Sequence, residues 1–159
     1  MSAFDFAVKF VLDHEGGLVD DPDDPGGLTN YGISLRFAET VELTADDIRH
    51  MTRKQAAGIY YRHFWIRIKG DLLPPDVALM AFDAAVNQGV HAATEMLQRA
   101  AGVATDGLIG PVTTVAAKKP DVLRNLAVER LMRYSRTRNF DRFGRGWYNR
   151  VTDAVIAAR

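Results

Sequence analysis

Apolar positions near the start of the chain fall at Phe4, Ala7, Val8, Val11 and Leu12, three and four apart, as one buried stripe of a helix requires. Ser2-Ala3-Phe4-Asp5 reads as its capping box, with Met1 and Phe6 at the staple positions, and Gly16-Gly17 ends it. Residues 18–32 are rich in turn formers, and Ser34 caps a short helix to about Val41. Two further capping boxes begin at Thr44 and Thr52. The second opens a helix through about Ile66, with Ala56, Ile59, Tyr60 and Phe64 on one side.

Gly70 to Pro75 breaks the pattern. Pro75 suits the first turn of a helix to about Gln88, with Val77, Met80, Ala81 and Ala84 inward. Another helix, 91–101, turns Ala93, Met96, Leu97 and Ala100 inward and ends at Gly102. Asp106-Gly107 marks a turn, and Gly110-Pro111 a new start. A long helix follows Pro120, with Leu123, Leu126, Ala127, Leu131 and Tyr134 inward. Phe140 to Gly146 reads as a linker, and Trp147 as the start of the last helix. Strand signals are almost absent, with at most a small hairpin near residues 28–34. The expected class is mainly α.

Composition narrows the function classes. At 159 residues the chain is long enough for one domain with a real core. No apolar run approaches the roughly 18 residues of a membrane span. No basic stretch leads into an apolar one at the N-terminus, so a signal peptide is not expected. There is no cysteine, and the four histidines form no His-x-x-x-His pair, so neither thiol chemistry nor a zinc site is expected. The formal net charge is zero but unevenly spread. Residues 1–50 hold three basic and eleven acidic side chains, whereas residues 118–159 hold eleven basic and four acidic ones. Either the two ends attract each other, or an acidic cleft lies beside a basic surface that favours an anionic partner.

One carboxylate breaks the hydrophobic pattern. On a helical wheel Glu15 falls about 20° from Phe4, in the middle of the apolar stripe. Burial there disfavours the charged form, and a carboxylic acid kept protonated is what a general acid needs. The alternative is that the helix frays and Glu15 reaches solvent. The turn that follows holds Asp20, Asp21, Asp23 and Asp24 before Pro25-Gly26-Gly27. It lacks the spacing and closing glutamate of a calcium loop. It is either a solvated acidic turn or the source of a second carboxylate opposite Glu15, the pairing that glycoside hydrolysis uses.

Glu15-Gly16-Gly17 followed by Asp21-Pro22-Asp23-Asp24-Pro25-Gly26-Gly27-Leu28-Thr29-Asn30-Tyr31-Gly32-Ile33 resembles the signature of glycoside hydrolase family 108. That family comprises phage and bacterial N-acetylmuramidases with a lysozyme-like fold, some described as endolysins and some as secretion activators. The resemblance implies that Glu15 is the catalytic acid. The family often carries an aromatic residue after Glu-Gly-Gly, where this chain has Leu18. The spacing is also similar to that of T4-type phage lysozymes, with a glutamate, an aspartate nine residues on, and a water-holding threonine six further. Asp24 fits the second position, with Asp21 its rival; at the third, Thr29 falls one residue short and Asn30 takes the place. Tyr31 is a candidate substrate contact through its hydroxyl and ring.

The resemblance continues through Phe82-Asp83-Ala84-Ala85-Val86-Asn87-Gln88-Gly89 and on to Leu97-Gln98. The wheel sets Asn87 on the inward stripe of its helix, either lining the substrate cleft or capping the Gly89 turn. Trp65 is a further sugar-stacking candidate, although tryptophan is more often core. Asp106-Gly107-Leu108-Ile109-Gly110-Pro111-Val112-Thr113 resembles a turn of helical peptidoglycan-binding modules, though as chemistry it is glycine and proline punctuation. The expected organisation is a catalytic region over 1–91 and a helical peptidoglycan-binding-like region over 92–159.

Together these imply a monomeric peptidoglycan hydrolase that needs no cofactor, binds glycan strands and engages neither nucleic acid nor the membrane interior. It would be made in the cytoplasm and reach the wall through a holin, export or lysis. Two rivals remain: a lytic transglycosylase, and a non-catalytic module that binds peptidoglycan or a secretion machine.

Overall fold

The structure is a computed structural model and describes residues 1–20 and 27–159. Asp21, Asp23 and Asp24 of the acidic turn lie outside the described residues.

The described chain is a bundle of helices with one small hairpin. Helix α1 spans Ala3–His14 and starts at a complete Ser2/Asp5 capping box. Its stripe of Ala7, Val8, Val11 and Leu12 is buried. No hydrophobic staple forms, because Met1 and Phe6 are both exposed. Strands β1 (Thr29–Asn30) and β2 (Ile33–Ser34) pair antiparallel, and Val19 adds a single bridge to Thr29. Ser34, Thr44 and Thr52 then cap α2 (Leu35–Glu39), α3 (Ala45–Arg49) and α4 (Arg53–Tyr60) through their hydroxyls. A π-helical turn, Tyr61–Trp65, continues α4, and a 3-10 turn, Gly70–Leu72, leads into α5 (Pro75–Gln88).

Helix α5 organises the rest. Every residue from Val77 to Ala85 is buried, as befits a helix surrounded on all sides. It packs against α1, α6 (Val90–Ala101), α8 (Val122–Ser135) and α9 (Phe140–Ala157), while the short α7 (Pro111–Ala116) rests on α6. One continuous apolar core runs from Ala7 to Ala154, so the segments on either side of residue 91 share it. Among the described residues no helix is long and apolar enough to cross a membrane.

Two further expectations are corrected. Residues 140–146 are not a linker but the first two turns of α9. Gly144 sits inside the helix under the Phe140 ring, where a Cβ would stand 2.5 Å from that ring. Trp65 offers no face to a sugar. It is wholly buried, its ring centroid 5.4 Å from Phe4 and 5.5 Å from Phe82. Its indole N–H donates to Asp71 Oδ1 at 3.0 Å, so the polar handle is satisfied within the fold. The Asp106 turn is closed by its own hydrogen bonds. Asp106 Oδ1 accepts from the Leu108 N–H and the Gln98 amide, and the Gly107 N–H donates to Gln98 Oε1 at 2.9 Å.

Candidate active site

Helix α1 stops one residue before Glu15. Glu15 is the C-cap, with an extended backbone (φ −84°, ψ 144°) and its N–H still donating to Val11 at 3.0 Å. Leaving the helix turns its side chain off the apolar stripe and towards the hairpin. The loop of that hairpin is the two residues Tyr31 and Gly32, both left-handed (φ 50° and 76°), as a type I′ turn demands. Glycine adopts this conformation freely; tyrosine does so at a cost. The Tyr60 hydroxyl braces the turn by donating to the Tyr31 carbonyl at 2.9 Å. Burial, with the nearby Glu15 charge, pushes the Tyr60 phenol well above its ordinary value, so it stays a neutral donor.

The Glu15 carboxyl lies directly over Gly32. A Cβ there would stand 2.6 Å from Glu15 Oε2 and 2.7 Å from its carboxyl carbon. Residue 32 is therefore glycine for two independent reasons. The other oxygen, Oε1, lies 2.8 Å from Arg150 Nη2, which projects from α9. Both side chains are mostly buried, Glu15 19% exposed and Arg150 13%. The expected dry, apolar setting of Glu15 is thus corrected: a guanidinium stands against it.

Arg150 is itself held. Its Nε donates to Asp83 Oδ1 at 2.9 Å, and its Nη2 lies 2.8 Å from the same oxygen. Asp83 Oδ2 accepts from Arg130 Nη2 of α8 at 2.7 Å, and neither Asp83 nor Arg130 has any exposed side-chain surface. Arg130 also donates to Gln88 Oε1 and meets the Met80 sulfur. Burial alone pushes the Asp83 carboxyl up, but Arg130 and then Arg150 outweigh it and hold it below the ordinary carboxylate range. Burial likewise pulls the Arg150 guanidinium down, and Asp83 and Glu15 more than restore its charge. The result is an alternating row, Glu15–Arg150–Asp83–Arg130, that carries no net charge when all four are ionised. A second link ties the same two elements: His14 Nε2, one residue before Glu15, lies 3.3 Å from Asp153 Oδ2, three residues after Arg150.

The remaining predicted residues separate in the structure. Asn30 is buried, and its amide donates to the Ile48 carbonyl at 2.9 Å. It pins the hairpin to α3 and is not turned to a ligand, which corrects its expected substrate role. Thr29, its neighbour, is half-buried and exchanges two backbone hydrogen bonds with Val19 at 2.8 Å. Tyr31 is half-buried at the tip of the turn. Asn87 is exposed, not inward. It lies in the last turn of α5, where the chain leaves the core at Gly89. Its amide donates to the Asp83 carbonyl at 2.8 Å and to Asp83 Oδ1 at 3.3 Å, which places it beside the ion row. Asp20, the first residue of the acidic turn, pairs with Arg49 at 2.8 Å.

Asp83, Arg130 and Arg150 escaped sequence reasoning. Asp83 carried a readable signal: it is the one charged side chain in the apolar run from Val77 to Val86. Such a residue needs a buried cation. Arg150 carried none, being one of many arginines in a basic segment.

A search of curated proteins finds no match. The solved structure of SagA from Brucella abortus is similar to this chain at 35% identity, with a TM-score of 0.87 over 98% of this chain and 92% of that one. The family model for Glycosyl hydrolase 108 matches residues 8–89, a segment that holds Glu15, the hairpin and Asp83. With more than half of its length so matched, the chain belongs to glycosyl hydrolase family 108, a family of glycoside hydrolases.

Proposed function

We propose that the protein is an N-acetylmuramidase, which hydrolyses the β-1,4 bond between N-acetylmuramic acid and N-acetylglucosamine in peptidoglycan. The observation that carries this reading is Glu15. It is a partly exposed carboxyl fixed between a glycine backbone and an arginine, within the segment matched to a glycoside hydrolase family.

In the reaction Glu15 gives its proton to the glycosidic oxygen as the bond to the anomeric carbon breaks. The bonding electron pair stays on that oxygen. Water then delivers hydroxide to the anomeric carbon, and its proton restores the carboxyl pair. Asp24 serves as the second carboxylate, with Asp21 its rival. Thr29 takes the water-positioning role, because the amide of Asn30 is committed to Ile48. Tyr31, at the tip of the hairpin, and Asn87, beside Asp83, border the glycan. The basic surplus of residues 118–159 suits the peptide carboxylates of the wall.

The test is a mass spectrum of the fragments released from purified peptidoglycan. Fragments ending in a free reducing N-acetylmuramic acid are the expected result. Fragments lighter by one water would make the protein a lytic transglycosylase. Binding without release would make it a wall-binding module.

A further inference from the structure

A general acid needs one oxygen free to hold and hand over the proton. The two oxygens of Glu15 are not equivalent. Oε1 is 2.8 Å from Arg150 Nη2, and a guanidinium offers only N–H donors. A proton on Oε1 would confront those hydrogens. Oε2 has no such neighbour among the described residues, and it lies over the bare Cα of Gly32.

We infer that Arg150 is a positioning residue for the acid, holding Glu15 by Oε1 from α9 so that Oε2 is the oxygen that delivers the proton. The inference rests on the reading of Glu15 as the general acid. Arg150 can do this because it cannot wander. Asp83 accepts from its Nε and stands 2.8 Å from its Nη2, Arg130 donates to Asp83, and Gln88 and Met80 hold Arg130. Among the described residues, the charged and titratable groups in this row or facing Glu15 are Arg150 from α9, Asp83 from α5, Arg130 from α8 and Tyr60 from α4. As the proton leaves, negative charge grows on Glu15 beside a cation already in place, so nothing has to reorganise. The family match ends at residue 89, whereas Arg130 and Arg150 lie on α8 and α9. The C-terminal helices therefore act on the reaction itself, beyond any hold on the wall.

The experiment compares Arg150→Lys, Arg150→Ala and Glu15→Gln with the unaltered full chain on soluble glycan fragments, with circular dichroism to confirm folding. Arg150→Ala should lower kcat by about 100-fold, the scale of a misplaced catalytic group, with KM within about three-fold. Added guanidinium ion should restore part of that loss, which it would not do for a merely structural residue. Arg150→Lys keeps a cation beside Asp83 but is too short to serve both carboxylates, so it should fold and still lose about ten-fold in kcat. If the alanine variant does not fold, the lysine variant decides. A folded Arg150→Lys with unchanged kcat, or a loss confined to KM, overturns the inference while an inert Glu15→Gln leaves the acid reading standing. An active Glu15→Gln overturns both.

Discussion

The two ends of the site are built in different ways. On one side Glu15 and the Tyr31-Gly32 turn come from one stretch of chain, set by a helix stop and a two-residue loop and braced by the Tyr60 hydroxyl from α4. On the other, Asp83, Arg130 and Arg150 come from three helices and meet only in the folded chain. The first side is a local conformation that short-range signals specify. The second is a buried charge row whose members have no meaning apart from one another. An arginine on α9 becomes a site residue only because α5 and α8 put an aspartate and a second arginine behind it.

Removing a member of the charge row breaks this contrast most severely. Arg130→Met leaves the Asp83 carboxylate buried with half its compensation, and should cost about 3–5 kcal/mol. In a domain of this size that is on the order of 10 °C in the thermal midpoint. A midpoint within a degree or two of the parent would mean the row contributes little to the fold. Gly32→Ala attacks the local side instead. The added methyl would collide with the Glu15 carboxyl and sit at φ +76°, so activity should fall about 100-fold while most of the stability survives. Unchanged turnover would show that Glu15 need not lie over residue 32.

A pH titration separates the sides more gently. The folded value of Asp83 lies below its unfolded value of about 3.9. Its contribution to stability is therefore fully present above that pH and is lost as the pH falls below it. The stability difference between the parent and Asp83→Asn should shrink as the pH drops through about 4, measured by denaturant unfolding. A difference constant from pH 7 to pH 3 would mean that Asp83 is not ionised in the fold. The smallest effect belongs to the far end of α1. Ser2→Ala removes the cap and should cost about 1 kcal/mol with hydrolysis unchanged.

Much of the fold was legible because its signals are short. The caps at Ser2, Ser34, Thr44 and Thr52 each place a hydroxyl three residues from the N–H it accepts. Pro75 and Pro111 stand at helix starts, where a missing N–H costs nothing. The start of α9 was not legible, because two glycines usually end helices and nothing local says that the Phe140 ring will cover one of them. Glu15 stood out as a carboxylate on an apolar stripe. Its partner did not, since the ion pair is a fact about packing and not about sequence neighbours. Asn30 and Asn87 show the same limit. The Asn87 amide was readable as needing a partner, but Asp83 was not; Asn30 carried no such signal, and its partner is Ile48.

The contact between Glu15 and Arg150 joins residues near opposite ends of the described chain. Loops that long close late, after the turns and hairpins that need little chain entropy. A chain that has formed α1 and its hairpin but has not yet docked α9 holds the whole recognisable motif and an unfinished acid. With Arg150 positioning the acid, hydrolysis should report completed folding: helix content should recover first, and turnover only once α9 has docked.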